Sequence, residues 1–259
     1  MHSYILDDAS AFEYQRLDLM SKILDPWTRR YLTELGVGEG WRCLELGGGN
    51  GSNAEWLAAT VGPTGSVTAN DINPVLLELI PAQNVTVQQM DVRTGDLPAN
   101  SYDLVTCRAL LHQISAYAPA VLARMASAVK PGGWLLVQEP DFHLVFTTEP
   151  EVWASAWKGL IEWGQSNGVD WLIGRKLPGM VSELGLGHPQ AETDVQNIRG
   201  RDRGALYFQM FMAEVRDRVI ASGRLDAATL DAASALLDDP NYWTQCWMMT
   251  AVWVRKPPA

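Results

Sequence analysis

The chain is predicted to be an α/β protein, a mostly parallel sheet with helices on both faces, and three observations carry that prediction. Short apolar runs of strand length alternate with helix-period segments through the middle of the chain. Glycine and proline turns punctuate the alternation, and the chain closes on a long aromatic and β-branched run. Strand and helix in turn require right-handed crossovers, which lay the strands parallel and place helices on the two faces. A chain of 259 residues, 47% of them apolar, can bury the core of one large α/β domain with an elaboration, or of two small domains.

Each element follows in order. Between residues 10 and 35 apolar positions such as Leu17, Met20, Leu24, Tyr31 and Leu32 recur at helical spacing, and Pro26 is expected to divide the stretch into two amphipathic helices. The apolar run 42–46 reads as a buried first strand, with a helix over 53–61 behind it. Strands are expected at 66–70, 85–89 and 104–107, with a helix at 74–80. A helix over 118–129 then leads to a fifth strand at 134–138. Gly62-Pro63-Thr64-Gly65 and Lys130-Pro131-Gly132-Gly133 are read as turns into the second and fifth strands. After Glu139-Pro140 the rhythm changes: 149–187 and 202–238 look mainly helical, 194–199 is a candidate strand between them, and 242–255 suits the last strand.

Composition excludes several classes. The formal net charge is −10 with the acids scattered, so a nucleic acid would meet general repulsion despite Arg199, Arg201, Arg203, Arg29 and Arg30. No apolar run approaches the roughly 20 residues that span a bilayer. The start, Met1-His2-Ser3-Tyr4, lacks a basic-then-apolar leader, and a cytoplasmic location is expected. Cys43, Cys107 and Cys246 fall in apolar runs and are expected to be buried, reduced thiols; no Cys/His cluster suggests a metal.

The densest signal is Glu45-Leu46-Gly47-Gly48-Gly49-Asn50-Gly51, between the first strand and the next helix. Glycine there lets the backbone turn tightly and approach a ligand. Gly49-x-Gly51-x-x-Ala54 formally matches a dinucleotide fingerprint, with Asp71 twenty residues after Gly51 where a ribose-binding acid would stand. Taken alone, the motif leaves the cofactor open.

Four features in order close that gap. Glu45-x-Gly47-x-Gly49-x-Gly51, Asp71 ending the second strand, Asp91 after the third, and Lys130-Pro131-Gly132-Gly133 before the fifth together resemble the class I S-adenosylmethionine-dependent methyltransferases, of the small-molecule type found in ubiquinone and menaquinone biosynthesis. The resemblance covers residues 40–140 and, more loosely, the final strand. It implies a Rossmann-like seven-stranded mostly parallel sheet with an antiparallel last strand. It further implies N-terminal helices over the cofactor site (1–39), a cofactor-binding core (40–140), a helical lid that meets the methyl acceptor (141–240) and a final core strand (241–259).

The cofactor implied is S-adenosyl-L-methionine. Amides of the Gly47, Gly49, Gly51 and Asn53 segment would face its carboxylate, and Glu45 its ammonium. Asp71, with Ile72 beside it, would accept the ribose hydroxyls; Asp91 and the Val92 amide would meet adenine. Tyr14 and Arg16 are candidates for the methionine part, Arg16 for its carboxylate, and the Arg108 backbone for contact at the sheet edge. An acid ahead of the first glycine would repel a pyrophosphate but suits an ammonium, which favours this cofactor over a nicotinamide one.

Methyl transfer from a sulfonium asks the protein chiefly for alignment and, for a hydroxyl acceptor, for removal of a proton. His112, after the fourth strand, is the first candidate base and His143, after the fifth, the second. Cys107-Arg108-Ala109-Leu110 lacks the Asn/Asp-Pro-Pro-aromatic signature of nucleobase and glutamine-amide enzymes, and no carboxylate set suits magnesium, so no metal is expected. Phe142, Phe146, Trp153, Trp157, Tyr207, Phe208 and Phe211 supply aromatic surface, although their spacing also suits a helical core. The expected acceptor is a largely apolar, cyclic small molecule of specialised metabolism or quinone-like chemistry, methylated on oxygen first, on nitrogen or carbon next. No nucleic-acid or membrane partner is expected, and a homodimer is left open. Binding without methyl transfer, and nicotinamide-dependent oxidoreduction, are the alternatives.

Overall fold

The computed structural model describes residues 11–148 and 150–259. The expectation about the start of the chain, and the first ten residues of the 1–39 region, lie outside the described residues. Helix α1 (Ala11–Glu34) precedes β1 (Arg42–Leu46), α2 (Ser52–Val61), β2 (Ser66–Asp71) and β3 (Val85–Gln89). Then come β4 (Tyr102–Arg108), α3 (Ala118–Ala128) and β5 (Val129–Asp141). The later part holds α4 (Glu151–Ser166), α5 (Leu177–Ser182), β6 (Gln190–Arg199), α6 (Arg203–Ala221), α7 (Ala227–Leu236) and β7 (Trp243–Arg255).

The strands form one seven-stranded sheet in the order β3-β2-β1-β4-β5-β7-β6. Strands β1 to β5 pair in parallel, while β7 runs antiparallel to both β5 and β6. The chain leaves β1 toward one side of the sheet and returns to β4 on the other. The carboxyl ends of β1 and β4 therefore open a crevice, which is where open α/β sheets bind their ligands.

Three local expectations differ from the structure. Pro26 does not divide the N-terminal stretch: α1 runs through it as one helix. Proline removes the amide that would bond four residues back and costs about 3 kcal/mol in a helix interior. Both halves are nevertheless anchored, Leu24 in the core beneath the late helices and Tyr31 and Leu32 in the core against the sheet. The segment at 74–80 is a 3-10 helix, Pro74–Leu79. Lys130-Pro131-Gly132-Gly133 lies within β5 rather than ahead of it. The register jumps from Tyr102↔Val129 to Leu104↔Trp134, so the motif is looped out of a strand that has already begun. Lys256 pins that loop, its amide donating to the Gly133 carbonyl and its carbonyl accepting from Gly132, both at 2.9 Å.

Two apolar cores cover the sheet faces, and a third lies between α1, α4, α6, α7 and β7. The third is the aromatic one, with Trp153, Trp157, Phe208 and Trp247 almost wholly buried. All three cysteines are free and buried. No helix among the described residues is long and apolar enough to cross a membrane.

Candidate active site

The glycine spacing has a backbone cause. Gly47, Gly49 and Gly51 take φ of +68°, +55° and +81°, so every second residue after β1 adopts the left-handed conformation that side chains disfavour. Gly51 immediately precedes α2, and a Cβ there would come within 2.6 Å of Ile80 Cδ1. The loop is tied to β2 by two of its amides: Gly48 N donates to the Asn70 carbonyl at 2.9 Å, and Gly49 N to Asp71 Oδ2 at 3.0 Å. The other Asp71 oxygen accepts from the Asn73 amide.

Behind this loop lies a carboxylate with one oxygen unpaired. Glu45 is buried, and its Oε2 has no hydrogen-bond partner. Burial pushes its pKa up to about 7, opposed by the Arg108 guanidinium and by a hydrogen bond with Asn53. Arg108 does not reach into the cavity to complete the pair. Its Nη1 lies 2.9 Å from Asp25 Oδ1 and 2.9 Å from Thr28 Oγ1, both on α1, and Asp25 also accepts from Ser52 Oγ at 3.2 Å. One helix thus clamps the glycine loop and the end of β4.

A cavity of about 440 Å³ extends from this loop across the carboxyl edge of the sheet. Gly47, Gly49, Asp71, Ile72, Asp91, Val92 and Arg108 all border it, so these of the sequence-predicted cofactor residues lie on one cavity. Asp91 is gripped by Arg93, whose Nε and Nη2 lie 2.8–3.0 Å from its carboxylate, and this holds the Asp91 pKa below its usual range. Glu45, Asn53 and Gly51 stand behind the wall and shape it. The residues present fit an ammonium-bearing nucleoside cofactor. The buried Glu45 Oε2 has no hydrogen-bond partner, the positive φ of Gly47, Gly49 and Gly51 keeps the loop free of side chains, and Asp71 brings a carboxylate to the wall.

The two N-terminal candidates fall differently. Arg16 borders the cavity, but Glu13 already takes its Nε and Nη2 at 2.7 and 2.6 Å, and its Nη1 donates to Tyr207 Oη at 3.0 Å. Its charge is thus matched within the protein, which argues against its expected role as the holder of the cofactor's carboxylate. Tyr14 is 49% exposed and off the cavity, because the inward face of α1 carries residues 13, 16, 17 and 20.

His112 is buried on the cavity wall in the segment after β4. Glu139, at the end of β5 and fully buried, accepts from the amides of Leu110, Leu111 and His112 at 3.0, 2.7 and 3.1 Å. The same carboxylate lies 3.0 Å from His112 Nδ1. A carboxylate only accepts, so in the neutral ring the proton is placed on Nδ1 and Nε2 keeps a lone pair. Gln113 Nε2 donates to that lone pair at 2.8 Å, while Gln113 Oε1 has no partner.

His143 is a correction to expectation. It is exposed and borders no part of the cavity, since β5 ends at Asp141 and Phe142 is the side chain turned inward. The Asp141 carboxylate takes the His143 amide, and the ring lies against Phe146.

Beyond His112 the cavity is aromatic. Phe142, Trp157, Tyr207, Phe208 and Phe211 border it as expected, whereas Trp153 is pure core and Phe146 is exposed. Phe142 stacks on Trp157 with centroids 4.9 Å apart. Trp247 on the wall, and Glu139 behind His112, are not among the residues the sequence singles out. Glu139 carried a signal, since it is an acid at the carboxyl end of a parallel strand, as Asp71 is.

A doubly wound sheet with one antiparallel strand, a glycine cradle and a buried acid awaiting a cation define a nucleoside-cofactor protein whose ligand is positive at one end. The chain belongs to the methyltransferase domain family, the class I S-adenosylmethionine-dependent methyltransferases, whose family model matches residues 14–185. Over 193 residues it is 32% identical to methyltransferase str3 of Strobilurus tenacellus, covering 72% of this chain and 66% of that one. Over 137 residues it is 34% identical to the ubiquinone/menaquinone biosynthesis C-methyltransferase UbiE of Ectopseudomonas mendocina, covering 48% and 53% of the two chains. The chain thus spans about half to two thirds of the length of such curated relatives. Among solved structures, the [4+2]-cyclase SpnF matches with a TM-score of 0.57 and 17% identity over 92% of this chain and 82% of that one, a likeness of fold alone.

Proposed function

We propose that the protein transfers the methyl group of S-adenosylmethionine to a hydroxyl oxygen of a largely apolar, cyclic small molecule. The observation that carries this reading is the His112 imidazole, oriented by Glu139, on the stretch of wall between the glycine cradle and the aromatic chamber. When bound, the cofactor supplies a methyl on a sulfonium with a neutral thioether as leaving group. His112 Nε2 would take the acceptor's hydroxyl proton, leaving that oxygen to accept the methyl as the thioether leaves. Glu139 holds the ring and offsets the imidazolium that results. For the hydroxyl to reach Nε2, the Gln113 amide must give up its 2.8 Å contact there.

In this reading α1 covers the cofactor and the helices between 141 and 240 form the acceptor lid. The aromatic chamber supports an apolar ring as the occupant. Carbon methylation is the second reading, favoured by the relative named as a C-methyltransferase. Release of S-adenosylhomocysteine from a panel of hydroxylated aromatics, at saturating cofactor, tests the proposal. Wild-type turnover in His112→Ala would remove the base and with it the preference for oxygen.

A further inference from the structure

Tyr207, on α6, borders the cavity among its aromatic residues, with its ring stacked on Trp247, centroids 4.5 Å apart. Phe208 meets the same ring edge-on at 5.2 Å, so the hydroxyl is carried on a fixed aromatic plate. Its oxygen accepts from Arg16 Nη1 at 3.0 Å. An oxygen engaged in this way keeps its proton to give, and the guanidinium strengthens it as a donor. Among the described residues no oxygen or nitrogen takes that proton. Burial raises the Tyr207 pKa, which keeps the hydroxyl protonated.

The charge around this donor sets what it can read. Glu13 already pairs Arg16 through two hydrogen bonds, and Glu214 lies 3.9 Å from the same guanidinium. Among the described residues two acids face the one guanidinium here, so a carboxylate on the ligand would meet net negative charge. An uncharged carbonyl would receive the proton at no such cost.

We propose that Tyr207 selects the methyl acceptor by donating to a second, uncharged oxygen, so that the preferred substrates are aryl hydroxyl compounds that also carry a ketone- or ester-type carbonyl. The aromatic walls hold the ring, His112 faces the hydroxyl, and Tyr207 reads the carbonyl. The proposal rests on the hydroxyl-methylation reading for its substrate class, but the Tyr207 contact shows in binding alone.

The test is calorimetric titration of the protein bound to S-adenosylhomocysteine with the 2-, 3- and 4-hydroxyacetophenones. The matching ethylphenols lack the carbonyl, and the matching hydroxybenzoates replace it with a charge. At least one hydroxyacetophenone is expected to bind about tenfold tighter than both of its counterparts, the worth of one buried hydrogen bond. Tyr207→Phe, shown to be folded by a rise in Tm with S-adenosylhomocysteine, is expected to bring that ratio to within about twofold. Tyr207→Leu serves if the phenylalanine variant does not fold. Equal binding of ketone and ethylphenol, preference for the benzoate, no saturable binding of any ketone, or a ratio that survives the substitution would overturn the proposal. Selective binding without methyl transfer from S-adenosylmethionine would instead overturn the hydroxyl-methylation reading and leave the Tyr207 contact standing.

Discussion

The Glu139 carboxylate lies 3.0 Å from Nδ1 of His112 while taking three consecutive amides of the segment that carries that histidine. One buried acid on β5 therefore fixes both the backbone and the ring of a residue that follows β4. Position and tautomer are set by the same group.

His112→Ala is expected to lower kcat by about 10²- to 10⁴-fold at saturating cofactor, the usual worth of a positioned base, with little change in cofactor Kd. Glu139→Gln replaces one accepting oxygen by a donor that faces amides. It is expected to cost about 3 kcal/mol or more of stability in denaturant titration, as well as activity. Activity loss without loss of stability in the glutamine variant would show that the amides do not depend on the carboxylate.

Glu45 gives the site a pH dependence. Its folded pKa of about 7 lies above the ordinary 4.5, so the folded state holds this proton more tightly than the unfolded state. Stability of the ligand-free protein is therefore expected to fall as pH rises from about 4.5 to 7, the opposite of a salt-bridged acid. Glu45→Gln is expected to raise stability above pH 7 by up to about 3 kcal/mol, checked by thermal melts across pH. Cofactor binding runs the other way. If the cofactor's ammonium is compensated by Glu45, wild-type affinity is expected to weaken below pH 7 and the variant to lose that dependence; a pH-independent affinity in the wild type would remove Glu45 from the binding role.

Two glycines with nearly equal dihedrals separate conformational strain from crowding. Gly51 and Gly132 have φ of +81° and +79°, but a Cβ on Gly51 meets Ile80 Cδ1 at 2.6 Å, whereas nothing lies within 4 Å of one on Gly132. Gly132→Ala is expected to cost about 1 kcal/mol and Gly51→Ala about 1–3 kcal/mol more, with loss of cofactor affinity only in the second. Equal costs in urea denaturation would show that crowding at the cradle is relieved by a shift of Ile80.

Asp25 joins α1 to the site through Arg108 and Ser52, with the Asp25 and Arg108 side chains each only 8% exposed. Removing one member of such a pair strands the other, so Asp25→Asn is expected to destabilise by about 3–5 kcal/mol. The double variant with Arg108→Met should cost less than the sum, measured as a double-mutant cycle.

The parts of the fold that depend on local pattern were legible in the chain, and those that depend on distant partners were not. The alternation of glycines at 47, 49 and 51 states a backbone requirement, and each takes positive φ. β3 has the expected limits because its turn signals are local. Pro26 misled because the anchors that carry α1 through it, Leu24 and Tyr31, lie in two separate cores. Lys130-Pro131-Gly132-Gly133 misled because its loop is held by Lys256, more than a hundred residues away. The same limit applies to the site. Asp71, Asp91 and Arg108 follow from strand ends, whereas the pairing of Arg16 with Tyr207 spans 191 positions. His112 ranked first and His143 second in sequence, each following a strand, but the burial of His112, its place on the cavity wall and its Glu139 partner come from tertiary contacts that the pattern does not show.

The buried cysteines have a practical consequence. Cys43, Cys107 and Cys246 sit on the adjacent central strands β1 and β4 and on the antiparallel β7. Burial pushes the Cys43 thiol up to about 12 and the other two well above their usual range, so none offers a thiolate to solvent while the strands stay paired. The protein therefore carries its own unfolding reporters: alkylation at each position, followed by mass spectrometry, would clock how often that part of the sheet comes apart.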